Sequence, residues 1–552
     1  MSDNKNISKI LLVCALIFAA MLPLRNAVYS DDVAFGQSVR HLLQTGDLKV
    51  SEYHATSSIS HIIWGFLFTK ILGFSFTSLN ISVIVLLPIL LLGFYKLLRI
   101  IEIPPDKSFF LTLFFLSTPW IPFLTYTFMS DIPFLTLEVL SLLFFLKYQK
   151  LKNPNNLIIS VAFAALAFLM RQLGLAIILG QIAGVLLDRK IFIKNIKPVF
   201  FSALILAVTI IGYFAWLSIP GNQTIPQYYY EDQTKNAIEN FLPFTNISVN
   251  TRIINLSEFM HRSINYANQA MGLLFPLILV FVLSNIKLVK QIAKRNYKII
   301  IFSTIIAGLL YIPDVIIFRK EYTAGFPLNE YEYESLLPIP WAHIWKFLVV
   351  ASIPFWSALL AKTIINGTKK AGKQQIYLLI TFLGMLFMTV ITFQSWDRYL
   401  IPLLPFIFII LARATYKFRL NKILTIITVT VLLIDSVQMT KLRYDEAGLL
   451  YNIGNQIVAS GVEPSTIDLN RDQGWDLWFY YEKGIQQKIR EAGGDKTKIN
   501  FQKHPLPKKN IKYGIYTDRM IKYQNLNIDY SKATVIPFRS LFVSSKFTFV
   551  NY

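Results

Sequence analysis

Apolar runs of near-membrane length recur along most of this chain, and short basic loops separate them. A helix that crosses a hydrocarbon core of about 30 Å needs about 20 consecutive apolar residues. Of the 552 residues, 54% are hydrophobic and only 16% charged, more apolar content than a water-soluble core of this length can absorb. The spacing predicts a polytopic α-helical membrane protein, with spans near 9–27, 77–98, 108–128, 132–148, 156–170, 172–187, 198–219, 270–285, 298–318, 343–364, 375–394, 399–415 and 421–437.

The formal charge of +22 would point to nucleic acid in a soluble protein. Here Lys and Arg fall mainly in the short loops, where they set orientation, so no nucleic-acid partner is expected and membrane lipid is. The apolar stretch from Ile59 to Phe74 is the pivot, because counting it as a full span inverts everything after it. If it instead lies along the outer face, Lys96/Arg99/Lys107, Lys147/Lys150/Lys152, Arg189/Lys190/Lys194/Lys197, Lys287 to Lys298, Lys369/Lys370/Lys373 and Lys417/Arg419/Lys422 share the cytoplasmic side with the N-terminal lysines. The expected topology therefore has about thirteen transmembrane helices, a cytoplasmic N-terminus and long outer segments at 28–76, 220–269 and 319–342.

The first apolar run follows Lys5 and Lys9 and passes through Ala19-Ala20, which resembles the end of a cleaved signal peptide; a retained anchor is expected, since many further spans follow. The single cysteine, Cys14, supports neither a disulfide nor a cysteine-based zinc site within one chain. After about residue 438 the chain turns polar, with turn signals at Gly461 to Pro464 and Ala492 to Gly494. A helix-like stretch at Tyr444 to Val458 and β-rich stretches at Thr534 to Pro537 and Leu541 to Val550 predict a small extracytoplasmic α/β C-terminal domain, 438–552, after a membrane domain at 1–437.

The residues able to carry chemistry gather in the outer turns. Asp31-Asp32 follows the first span directly, and adjacent carboxylates repel unless a metal ion, a cation or a shared proton compensates them. Such a pair suits general-base work or metal binding; it also suits plain capping of a helix that starts near Val33. Asp131, before Ile132-Pro133, is open to the same two readings. Arg171 sits in Met170-Arg171-Gln172-Leu173-Gly174, at the edge of an apolar hairpin, where it either has a partner or snorkels to the interface. Arg398 lies in Ser395-Trp396-Asp397-Arg398-Tyr399-Leu400-Ile401-Pro402, at the mouth of another span. A phosphate leaving group needs positive charge and a hydroxyl acceptor needs a base, so these turns together suggest group transfer from a membrane-anchored phosphate donor.

Taken in order with Arg40-His41-Leu42-Leu43-Gln44-Thr45-Gly46-Asp47, Ser130-Asp131-Ile132-Pro133, Arg171-Gln172-Leu173-Gly174 and Arg398 to Pro405, these segments resemble the GT-C superfamily of integral-membrane glycosyltransferases. The likeness is to the branch of protein O-mannosyltransferases and lipid A aminoarabinose transferases, and it covers the membrane portion but not the tail. The resemblance implies a polyprenyl-phosphate sugar donor, a glycan, lipid or protein acceptor, and inversion at the anomeric carbon. It implies Asp31 as catalytic acid with Asp32 beside it, Asp131 near the acceptor or a metal, and Arg171, Arg398 and Tyr399 around the donor phosphate; a divalent cation is the candidate cofactor. It also implies a bacterial plasma (inner) membrane, with the C-terminal domain extracytoplasmic.

The chain departs from the pattern at Glu52-Tyr53-His54-Ala55, where relatives carry Pro-rich segments, and at Asp32, where many carry Glu. A metal site using Glu52 or His54 is open to question, and a lone histidine in a polar loop is expected to be solvated. The aromatic loops with Tyr228 to Tyr230, Arg252, His261-Arg262, and Tyr322, Tyr331, Tyr333 and Trp341 read as sugar-stacking surfaces or as an interface belt. The rival reading is a transporter or flippase of a lipid-linked or anionic substrate, against which stand the one-sided ionisable residues and the lack of a repeated half. A non-catalytic assembly protein is a third reading, and it gives the aligned polar turns no purpose.

Overall fold

The computed structural model describes residues 2–29, 31–187, 196–229, 273–295, 373–391, 397–416, 418–469, 482–499, 511–517, 533–541 and 543–551, with a few isolated residues between them. The expected spans 298–318 and 343–364, the loop 319–342 and most of the loop 220–269, including Tyr230, Arg252 and His261-Arg262, lie outside the described residues.

Sixteen helices precede the C-terminal sheet among the described residues, besides a short helical stretch at 225–229. They are α1 (Ser2–Ala20), α2 (Asp32–Thr45), α3 (Ile59–Leu72), α4 (Phe76–Ile84), α5 (Leu86–Ile100), α6 (Pro105–Leu116), α7 (Trp120–Thr125), α8 (Asp131–Leu151), α9 (Pro154–Met170), α10 (Gly174–Leu186), α11 (Ile196–Leu217), α12 (Leu273–Ser284), α13 (Ile286–Arg295), α14 (Lys373–Ile391), α15 (Leu404–Ala414) and α16 (Lys422–Ala459). By length and composition, three described helical stretches can cross a membrane: Phe76–Ile100, Ile196–Leu217 and Lys422–Ala459. Several shorter apolar helices, among them α3, α9 and α10, accompany them.

The helices break where the side chains dictate. Val85 separates α4 from α5 because Pro88 has no N–H to return to residue 84. The stretch expected as one span at 108–128 is two helices, α6 and α7: Pro119 disfavours the helical conformation before it, and Ser117 turns its hydroxyl onto the Phe114 carbonyl at 2.9 Å. The first span was expected to reach residue 27, yet α1 ends at Ala20 and the segment to Tyr29 is irregular. The span expected from residue 399 begins as a 3-10 turn, Asp397–Leu403, with Pro402 inside it. At 14 residues α3 rises about 21 Å, short of a bilayer core.

Tight packing relies on missing side chains. A Cβ on Gly180 would stand 1.9 Å from Thr381 Oγ1, and one on Gly184 2.7 Å from the Phe145 ring, so α10 approaches both α14 and α8 closely. At one end of the bundle the basic loops meet acids: Asp3 pairs with Arg99 at 3.0 Å, Glu102 with Lys150 at 2.9 Å and Asp106 with Lys422 at 2.9 Å. The grouping of the N-terminus with these loops at one end is what the charge pattern required.

The last span was expected to stop at 437, but α16 continues as one helix to Ala459 and absorbs the helix-like stretch of the tail. Its C-terminal half, through Leu450, packs on a four-stranded sheet in the order β1-β2-β4-β3, made of Ile467–Asp468, Tyr513–Thr517, Val543–Asn551 and Ala533–Ser540. β1 and β2 are parallel, and β3 and β4 form an antiparallel hairpin with Ser540 opposite Val543. A short helix, α17 (Glu482–Glu491), precedes β2 in the chain.

Candidate active site

The site is built at the helix ends opposite the basic loops. Residues 57–60 cover the exit of α9: Ser57 Oγ donates to the Phe168 carbonyl at 2.8 Å, Ser60 Oγ to that of Leu166 at 2.8 Å, and the Ser58 amide to that of Met170 at 3.1 Å. The Phe168 and Met170 carbonyls are among the last four of the helix and have no amide partner within it, so the loop serves as its C-cap. Arg171 follows in extended conformation, φ −147° and ψ 138°. Gly174 then starts α10 so close to α9 that a Cβ would lie 2.3 Å from the Phe168 nitrogen. Only glycine allows this turn, and the turn is what presents Arg171.

Arg171 Nη1 donates to Asp131 Oδ1 at 2.6 Å, with both side chains buried. Asp131 is the first residue of α8, behind an N-cap Ser130 that makes no side-chain cap bond. Arg398 Nη2 donates to Asp31 Oδ2 at 2.9 Å; the Asp31 side chain keeps 26% of its surface exposed and that of Arg398 9%. Asp31 is positioned as the N-cap of α2 yet makes no side-chain cap bond, so capping does not account for its carboxylate. The Tyr399 ring stands between the pairs, 5.8 Å from Arg171 Cζ and 5.7 Å from Arg398 Cζ. Four of the residues singled out from the sequence, Asp31, Asp131, Arg171 and Arg398, therefore meet as two pairs, and Tyr399 lies between them.

Asp32 differs from its neighbour. It is buried, and its Oδ2 accepts from the Tyr29 amide at 3.2 Å. Burial holds its carboxyl well above the usual range, opposed by backbone groups of Phe128 and Tyr29; the adjacent Asp31 raises it further and Arg398 lowers it. The two carboxyls of the pair sit in different environments, Asp32 enclosed with its pKa pushed up by burial, Asp31 beside a guanidinium.

His54 was expected to be solvated and is instead buried, its ring 4.1 Å from that of Phe35. Burial pushes its pKa down to about 4, against the pull of Asp31 and of the Ala34 backbone. His61, which the sequence reading passed over, is also buried, stacked on Phe128 and hydrogen-bonded through Nε2 to the Phe128 carbonyl at 3.0 Å. Glu52 is engaged by Lys496 Nζ at 2.5 Å, a lysine that also reaches the Gln223 carbonyl at 2.7 Å. Among the described residues no three His, Cys, Asp or Glu side chains converge as a metal site.

Sequence reasoning missed a charged cluster on the C-terminal half of α16. Lys441 Nζ bonds Asp445 Oδ1 at 2.9 Å and the Met21 carbonyl at 3.1 Å; Arg25 Nε bonds Asp445 Oδ1 at 2.8 Å; Ser540 Oγ bonds Asp445 Oδ2 at 2.8 Å. Tyr444 donates to the Arg25 carbonyl at 2.6 Å. Arg443, Thr440 and Tyr444 line, with Asp32 and Tyr29, a cavity of about 10 Å³, room for about one water. The segment leading into Asp31 is thereby fastened to α16 and to the end of β3. The signal available was the run Lys441-Leu442-Arg443-Tyr444-Asp445-Glu446, which reads as the start of a polar tail unless α16 is known to continue. Glu138, inside α8, was also passed over; it is fully buried and its carboxylate has no hydrogen-bond partner among the described residues.

A crystal structure of ArnT from Cupriavidus metallidurans bound to undecaprenyl phosphate is similar over 98% of this chain and 97% of that chain, with a TM-score of 0.49 and 10% identity. The apo form of the same protein gives a TM-score of 0.40 and 11% identity over the same shares. No curated protein matches the chain. Residues 59–216 match the family model of the dolichyl-phosphate-mannose-protein mannosyltransferases, and the resemblance of the chain to the GT-C superfamily of membrane glycosyltransferases holds.

Proposed function

We propose that this protein is an inverting glycosyltransferase that moves a sugar from a polyprenyl-phosphate-linked donor to an acceptor hydroxyl on the extracytoplasmic face of a bacterial plasma membrane. The observation that carries the reading is the Asp31–Arg398 pair, a part-exposed acid held against a guanidinium beside a second, buried acid–arginine pair. The family match over 59–216 supports it.

In this reading the acceptor oxygen attacks the anomeric carbon from the side opposite the phosphate and gives its proton to Asp31. The bond from that carbon to the phosphate oxygen breaks, and its electron pair leaves with the phosphate. Arg398 and Arg171 offset the charge on the leaving group, and Tyr399 holds the two guanidinium groups apart. Asp131 fixes Arg171, and Asp32, buried and accepting from the Tyr29 amide, supports the loop. The polyprenyl tail stays in lipid throughout. The topology that goes with this reading has a cytoplasmic N-terminus, about thirteen transmembrane helices in a catalytic portion at 1–437, and an extracytoplasmic C-terminal portion at 438–552; the acceptor is a glycan, a lipid or a protein.

The experiment is an assay of labelled polyprenyl-phosphate sugar with membranes carrying the wild type or Asp31→Asn. Loss of transfer at unchanged protein level is expected; full activity in the variant removes Asp31 from the base role.

A further inference from the structure

The first outer loop carries a second polar site, away from the paired acids. Gln37, Arg40, His41 and Gln44 recur at helical spacing on one face of α2, and the returning chain brings Lys49 and Ser51 opposite them around a cavity of about 290 Å³. The wall is held in place: the Ser51 amide donates to Ser38 Oγ at 2.9 Å, and Ser51 Oγ donates to Gln37 Oε1 at 3.2 Å. Among the described residues no acidic side chain lines this cavity, and Asp47, in the same loop, is not part of its wall.

Two permanent cations, a histidine and two amides around one recess make a donor-rich cradle for a tetrahedral oxyanion. Cations near the end of α2 also complement its dipole, but that role needs no recess and no hydrogen-bonded opposite wall. Along α2 the helical rise puts Gln37 about 9 Å and Gln44 about 20 Å from Asp31. An anion held there lies one to a few sugar units from a hydroxyl presented to Asp31.

We infer that the Gln37–Ser51 cavity is a binding site for a phosphate group, carried either by the acceptor at a distance from its reacting hydroxyl or by a phospholipid headgroup. The first source rests on the glycosyltransferase reading; the binding itself does not.

The test uses the full chain in phosphatidylcholine nanodiscs, with glucose 6-phosphate as the soluble probe, glucose as the neutral control, and saturation-transfer NMR as the readout. Glucose 6-phosphate is expected to bind and glucose not. Arg40→Gln with Lys49→Gln is expected to weaken binding by about tenfold or more, and Arg40→Lys with Lys49→Arg to retain most of it. Repeating the titration in discs with phosphatidylglycerol separates the sources: lost probe binding assigns the site to a lipid headgroup, and unchanged binding assigns it to a phosphate on the acceptor. Equal binding of glucose and glucose 6-phosphate, or binding insensitive to the Gln variants, overturns the inference. Turnover of the polyprenyl-phosphate sugar by the Gln variants is followed in parallel, so that failure of the phosphate site leaves the reading of Asp31 separately testable.

Discussion

Arg398 reaches back across 367 residues of sequence to donate to Asp31 at 2.9 Å, and neither partner is explained by the helix it sits on. The 3-10 turn that carries Arg398 lies against α8 and α14, so the pair fastens the first outer loop to the far end of the membrane portion. An acid so placed has a reason to exist beyond capping.

Replacing Asp31 by Asn is expected to lower kcat by about 10²–10⁴-fold, the usual range for loss of a general base. Because Asp31 is part-exposed and water reaches its side of the pair, the thermal midpoint of the variant should fall less than that of a variant of the buried Asp131–Arg171 pair. A parallel loss of folded protein would point instead to a structural role.

The Asp131–Arg171 pair is buried, and the expectation reverses. Asp131→Asn or Arg171→Gln alone strands a charge and should destabilise by about 3–5 kcal/mol, while the double replacement should cost less than the sum. Thermal unfolding of the four proteins in one detergent closes this cycle; additive losses would show that the pair is not coupled.

Gly174→Ala should disable the site without touching an ionisable group. The added methyl meets the Phe168 backbone at 2.3 Å, and backbone cannot swing aside as a side chain can. Expected results are low yield of folded protein and, in what folds, loss of transfer comparable to that of Arg171→Gln.

His54 predicts a limb of acid instability. Its pKa is about 4 in the folded chain, against about 6.5 when unfolded, so the unfolded state binds the extra proton first. Its contribution is therefore flat above pH about 6.5, falls as pH drops through the window from about 6.5 to 4, and is flat again below. His54→Gln should shallow the decline of thermal midpoint with pH in that window. Asp32 acts in the opposite sense: its raised pKa makes the folded chain hold the proton longer, so its contribution falls as pH rises above the unfolded value of about 3.9.

Asp445→Asn should loosen the first outer loop from a distance. It weakens the shared anchor of Arg25, Lys441 and Ser540, leaving buried Lys441 and half-buried Arg25 short of a counter-charge. The expected readout is faster proteolysis within residues 21–32 together with reduced transfer, whereas Ser540→Ala, which removes one hydrogen bond, should cost about 1 kcal/mol. Unchanged cleavage in the Asp445→Asn chain would show that α16 does not hold that loop.

The sequence determined the helical class, because apolar length is a local property set by transfer to lipid, and its loop charges marked the end of the bundle where Arg99, Lys150 and Lys422 meet their acids. It also marked β3 and β4, whose β-rich runs lie close to the strands at Ala533–Ser540 and Val543–Asn551. It did not show that α16 would run from Lys422 to Ala459, since the charges from Lys441 to Glu446 look like a helix leaving the membrane for water until Arg25, Met21 and Ser540 arrive to pair with them. The burial of His54, the opposite environments of Asp31 and Asp32, and the seat of Tyr399 between two guanidinium groups depend on contacts across tens to hundreds of residues. Those contacts only packing can make, so the residues of the site were legible one by one while the pairing of Asp31 with Arg398 and of Asp131 with Arg171 was decided by the tertiary structure.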